Sequence, residues 1–169
     1  MNGDETYFAY TDGSCKAGDG APGGWGYCIK TPSGSPLEGF GKARETLAKV
    51  MEYRAVAEAL AVVPLGATVV VFSDNHSLIE NMSRNLGHWR QHGFAKVDAQ
   101  VVESVRRIDA SITERRLAVR WEWVRSHNGN EGNERADALA ARGAREAKAE
   151  LAEEAAAALK LQRLKKRGG

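Results

Sequence analysis

The stretch Trp121-Glu-Trp-Val-Arg-Ser-His127, continuing as Asn128-Gly-Asn-Glu-Gly-Asn-Glu-Arg-Ala-Asp137, carries a strand, a turn and a helix start in immediate succession. Aromatic and aliphatic residues at alternating positions predict the strand. A Gly/Asn-rich turn follows and carries His127, and a helix is expected from about Asn130. Ala136, Leu139, Ala140, Gly143 and Ala144 recur at helical spacing and predict the buried face. Asp137 lies about two turns into that helix and follows Asn133 at i+4, so the two share a face. An acid held at a fixed point beside a histidine that titrates near neutrality is meaningful if something positive lies between this helix and the rest of the fold.

Composition limits what that can be. With 169 residues, 43% hydrophobic and 27% charged, the chain suits one soluble domain with a full core. A formal charge of only +2 gives no global bias toward nucleic acid, but the chain ends in the basic run Lys160-Leu-Gln-Arg-Leu-Lys-Lys-Arg167. No apolar run approaches the roughly 20 residues a bilayer requires. Met1-Asn-Gly-Asp-Glu-Thr6 lacks the basic and apolar segments of a signal peptide. Two cysteines, Cys15 and Cys28, fit reduced thiols better than a disulfide framework. A cytoplasmic monomer, with no membrane partner, is expected.

Outward from the opening stretch, strands are expected at Thr6–Asp12, Gly24–Lys30, Leu37–Lys42, Thr68–Asp74 and Leu117–Val124. Residues 13–24 read as a glycine-rich loop. Helices are expected at Leu47–Val63, with Met51, Ala55, Ala59 and Val62 as its stripe, at His76–Asn85 and at Lys96–Ser111. Gly87–Gly93, with His88, Trp89 and His92, reads as a linker. Val69-Val-Val-Phe72 is continuously apolar, the mark of a strand covered on both faces. The order is that of an α/β fold, a five-stranded mixed sheet flanked by helices, an antiparallel meander followed by parallel strands with right-handed crossovers. Residues 1–147 are expected to form the domain and 148–169 an Ala/Glu/Lys-rich helical extension.

Three further acids fall where packing alone would not put them. Asp12 and Asp74 each end an apolar strand, and Glu52 sits near the apolar side of a helix. Singly, these are a turn former, a cap and a partly exposed helix acid, and His127 is a loop residue. Together with Asp137 they would repel one another if gathered at one point, unless divalent metal neutralised them. Oxygen donors with open positions suit Mg²⁺, with Mn²⁺ as a substitute. Two such ions about 4 Å apart clamp the attacking and leaving oxygens of a phosphodiester.

The segments Tyr10-Thr-Asp-Gly-Ser-Cys15, Gly23-Gly-Trp-Gly26, Val50-Met-Glu-Tyr53, Phe72-Ser-Asp74, Trp121–His127 and Asn133-Glu-Arg-Ala-Asp137, in this order, resemble a type 1 ribonuclease H. The resemblance covers roughly residues 6–145. It implies the ribonuclease H fold and a metal-dependent endonuclease that hydrolyses the RNA strand of an RNA–DNA hybrid, leaving 5′-phosphate and 3′-hydroxyl ends. It implies that Asp12, Glu52, Asp74 and Asp137 hold two Mg²⁺ ions, Asp12 touching both, and that His127 relays a proton or assists product departure. Substrate contacts are implied for Gly13, Ser14, Cys15, Lys49, Asn75, His76, Trp89 and Asn133. This chain departs from the family in reading Thr46-Leu-Ala-Lys-Val50 before Glu52 and in lacking a long basic protrusion after Trp89; Arg84, Arg90, Lys96 and the basic end are the candidates to compensate. Two other classes fit less well. A silent hybrid-binding module has no need of four clustered acids, and a junction resolvase or integrase-like nuclease does not account for the Trp121–Asp137 stretch.

Overall fold

The computed structural model describes residues 5–126 and 128–168. The chain runs β1 (Thr6–Ser14), β2 (Ala21–Lys30), β3 (Leu37–Thr46), α1 (Ala48–Val62), β4 (Thr68–Ser73), α2 (His76–Glu80), a π-helical turn (Asn81–Asn85), α3 (Leu86–Gln91), α4 (Val102–Glu114), β5 (Ala118–Trp123) and α5 (Glu131–Arg167). The strands form one sheet in the order β3-β2-β1-β4-β5. β1 and β2, and β2 and β3, pair antiparallel; β1 and β4, and β4 and β5, pair parallel. The continuously apolar β4 is an inner strand, with Val69, Val70 and Val71 all buried, as its composition predicts.

Alternation along the strands divides the core. Ala9, Ile29, Val69 and Val71 belong to the core that also holds Val56, Leu60, Val105 and Ile108 of α1 and α4. Tyr10 and Phe72 stack at 4.5 Å on the other side, where a side chain at Gly132 of α5 would strike the Tyr10 ring. β2 shows the same switch in adjacent glycines: a Cβ on Gly23 would meet Met51 and Thr46, and one on Gly24 would meet the α5 backbone at Ala140 and Ala144.

That packing overturns the expected loop at 13–24. β1 continues to Ser14 and β2 begins at Ala21, because these glycines are pleated strand residues stripped of side chains so that helices approach the sheet closely. The linker expected at Gly87–Gly93 is helix through Gln91. Met82, Leu86 and Trp89 form an inward stripe at i, i+4 and i+7, and the exposed Gly87 is tolerated on the outside. The helix stops instead at Gly93 and Phe94, both left-handed, with Phe94 N–H donating to Trp89 C=O at 2.8 Å. The helix expected from Lys96 starts at Val102, since the Asp98 carboxylate accepts from Gln100 N–H (2.9 Å) and closes a turn first. At the end of α1, Val62, expected in the buried stripe, is exposed, and Val63, just past the helix, is buried instead. On α5 Ala144 is half-buried, and Ala147 completes the packed face.

α5 continues without a break from Glu131 to Arg167, well past the sheet. Its last turns are exposed, consistent with an overrun of Ala, Glu and Lys. No helix among the described residues is long and apolar enough to cross a membrane.

Candidate active site

β1 and β4 run parallel, with Tyr10 opposite Phe72 as the last registered pair. Two residues further on each chain stand Asp12 and Asp74, so the register itself brings the two acids together at the strand ends. Helix α1 comes up against the same point from the other face. Gly13 makes that approach possible: a Cβ there would lie 2.4 Å from the Glu52 nitrogen. Carboxylate oxygens of Asp12, Glu52 and Asp74 consequently lie within 4.8 Å of one another. Asp137 arrives on the second turn of α5, whose start is capped by the Asn130 side chain accepting from Asn133 N–H at 3.1 Å. Its carboxyl is near enough to Asp12 to act on it by hydrogen bonding as well as by charge.

Crowding shows in the proton affinities. Burial, the charge of Asp74 and the contact with Asp137 push Asp12 up to about 8, against a hydrogen bond from Gly13 N–H (2.9 Å) that favours the ionised form. Burial raises Glu52 to about 7; a hydrogen bond from Asn75 opposes this and the charge of Asp74 adds to it. Asp12 and Glu52, each reluctant to ionise beside Asp74 and offering oxygen donors only, fit a hard divalent cation. Asp12, Glu52 and Asp74 would hold it, with Asp137 alongside.

Supporting contacts fix the acids. The Asn75 side chain donates to Glu52 and accepts from Leu78 N–H (3.1 Å), so it caps α2 and orients Glu52 at once. Asn75 N–H donates to Ser73 Oγ (3.1 Å), and the Trp123 indole donates to the Asp74 carbonyl (3.1 Å). Thr11 Oγ1 donates to Phe72 C=O at 3.0 Å, tying β1 to β4 one residue short of the acids. Ser73 and Trp123 do not stand out as site residues in the sequence. Trp123 lies in an alternating strand pattern, and only the β4–β5 pairing shows which backbone its indole reaches.

Of the residues expected to touch substrate, Asn75 joins the acids and His76 stands beside them, its ring edge-on to Trp123 at 5.7 Å. Ser14 and Cys15 are buried, the thiol donating to Gly18 C=O at 3.1 Å, and Gly13 faces α1. Asn133 is buried too, with no hydrogen-bond donor to its Oδ1 among the described residues. Lys49 pairs with Asp98 on the surface. Trp89 packs against the core, and Arg90 is held by Asp109. His127 lies outside the described residues.

Residues 4–145 match the model of the RNase H family. A ribonuclease H of Polaromonas naphthalenivorans is 38% identical over 124 residues, which cover 72% of this chain and 76% of that protein. Among solved structures, LC9-RNase H1, a type 1 RNase H with the type 2 active-site motif, superposes with a TM-score of 0.70 at 25% identity over 83% of this chain and 72% of that one. LC11-RNase H1 in complex with RNA/DNA hybrid shares the fold with a TM-score of 0.60 at 24% identity, over 83% of this chain and 98% of that one.

Proposed function

The chain belongs to the ribonuclease H family, and from that premise we propose that it hydrolyses the RNA strand of RNA–DNA hybrids endonucleolytically, using divalent cations held by Asp12, Glu52, Asp74 and Asp137. The observation that carries this reading is the gathering of three carboxylates within 4.8 Å, two from the ends of neighbouring parallel strands and one from α1, with a fourth against them. When bound, a pair of divalent cations stabilises the attacking and leaving oxygens of the phosphodiester; Mg²⁺ is the ion proposed, with Mn²⁺ able to replace it.

Asp12, flanked by Asp74 and Asp137, would take part in holding both ions. Asp137 would help hold the ion that activates water, and Glu52 and Asp74 the ion that stabilises the leaving 3′ oxygen. Glu52 would also meet the ribose 2′-hydroxyl, one way to tell RNA from DNA. Asn75 keeps the Glu52 carboxylate turned toward the cluster, and Trp123 holds the Asp74 backbone. His127 relays a proton or assists product departure. The products carry 5′-phosphate and 3′-hydroxyl ends, and the enzyme acts as a cytoplasmic monomer.

The test is incubation with RNA–DNA hybrid, duplex DNA, duplex RNA and single strands, each with Mg²⁺, Mn²⁺ or chelator. Cleavage of RNA in the hybrid alone, abolished by chelator and by Asp12→Asn, is the expected result. Binding of hybrid without cleavage under either metal would make the protein a binding module and overturn the proposal.

A further inference from the structure

Helix α5 treats its cations differently on its two flanks. Toward β3, Arg135 pairs with Glu38, Lys42 with Glu146 and Glu150, Arg44 with Glu154, and Arg142 with Glu146. On the flank beside the β1–β2 loop, Lys16, Arg145 and Lys148 surround a cavity of about 310 Å³ and have no acidic partner among the described residues. The floor of the cavity is small and apolar: Ala17, Pro22, Ala141 and Ala144. A surface that neutralises its cations on one side of a helix and leaves three uncompensated on the other is arranged for an anion from outside.

Position says which anion. Ser14, on the rim of this cavity, is two residues from Asp12, and Ala141 is one turn of α5 beyond Asp137. None of the four acids lines the cavity, but through Ser14 and Ala141 it borders the two elements that carry Asp12 and Asp137. Along the axis, Arg145 lies about 12 Å and Lys148 about 16 Å past Asp137 at the ordinary rise of a helix. A nucleic-acid strand carries a charge about every 3.4 Å of duplex axis, so this stretch is long enough to meet several phosphates. The strand that enters the cluster is the one that must continue over its edge. On the reading of the protein as a hybrid nuclease, we infer that Lys16, Arg145 and Lys148 form a phosphate track for the RNA strand next to the scissile linkage. The track supplies cations close to the chemistry in a chain without a long basic protrusion after Trp89.

The experiment measures hybrid binding, not turnover. The full-length chain carrying Asp12→Asn is titrated onto a labelled hybrid in chelator between about 50 and 200 mM salt. The combined substitution Lys16→Gln, Arg145→Gln and Lys148→Gln should lower the slope of log affinity against log salt by about 2 to 3, one phosphate per cation. The matched set on the paired flank, Lys42→Gln, Arg44→Gln and Arg142→Gln, should lower it by less than about 1. Neutral methylphosphonate linkages beside the cut should erase the difference between parent and track variant when placed in the RNA strand, and leave it when placed in the DNA strand. An equal slope for parent and track variant, or a difference erased only from the DNA strand, overturns the track while hybrid cleavage by the unsubstituted protein still stands. Absence of both hybrid binding and hybrid cleavage would remove the track and the functional reading together.

Discussion

The acid cluster and the layer of α1, α3 and α4 handle buried charge in opposite ways. Between the helices buried charge meets its opposite: Asp109, buried in α4, receives Arg90 at 2.6 and 2.7 Å, and Arg107 reaches Glu58 of α1 at 2.9 Å. Arg115, just after α4, donates to the Leu60 and Val63 carbonyls and closes the end of α1, which has no basic residue of its own in its last turn. At the strand ends the same fold packs acid against acid, raising Asp12 to about 8 and Glu52 to about 7. The helical layer is arranged for stability. The cluster works against stability until a cation arrives, and such sites are where function concentrates.

The largest expected effect comes from the centre of the cluster. Asp12→Asn should reduce hybrid cleavage by roughly 10³-fold or more, beyond the roughly 10–100-fold typical of losing an outer-shell partner. Without metal it should do the reverse to stability. The Asp12 carboxyl ionises near 3.9 when unfolded and at about 8 when folded, so between those values the native state holds a proton that the unfolded chain has lost. Stability of the metal-free protein therefore falls as pH rises through that window and levels off above it. Asp12→Asn should flatten this slope and raise the melting temperature in chelator at pH 8; a melting temperature lower than the parent's would contradict the picture of mutual repulsion.

Next in size is Asn75→Ala. It frees Glu52 without removing a carboxylate, and should cost roughly 10–100-fold in apparent Mn²⁺ affinity, measured by activation of cleavage. An unchanged metal requirement would mean that Glu52 needs no support. Smallest in activity, and the mirror image of the first, is Arg90→Ala. It leaves the buried Asp109 unpaired and should destabilise the protein by about 2 kcal/mol in denaturant titrations while leaving kcat alone. A loss of turnover without a loss of stability would blur the distinction between the two regions.

The sequence made the first region legible and not the second, for a physical reason. Asp12 lies near the end of β1 and Asp74 directly after β4, each behind an apolar run where an acid is conspicuous, and parallel pairing of those strands is enough to bring them together. The glycines of β1 and β2 are as visible, but close approach by a helix leaves the same mark in the sequence as a loop. Arg90 and Asp109 are unremarkable residues in their own helices, and their pairing depends on how α3 meets α4. Gly87 concealed α3 by interrupting a pattern whose inward stripe, Met82, Leu86 and Trp89, was otherwise intact. The Asn75 contact with Glu52 required knowing the angle at which α1 passes the end of β4, which no local pattern encodes.

Calorimetric titration of Mn²⁺ at pH 7, repeated in buffers of different ionisation enthalpy, tests most directly whether the crowded acids form a cation site. Ligating carboxylates must be ionised, so protons held by Asp12 and Glu52 have to leave as the ion enters. Mn²⁺ binding with release of about one proton per chain or more, most of it lost in Asp12→Asn, is the predicted result. Failure to bind Mn²⁺, or binding with no proton release that Asp12→Asn leaves intact, would contradict the account.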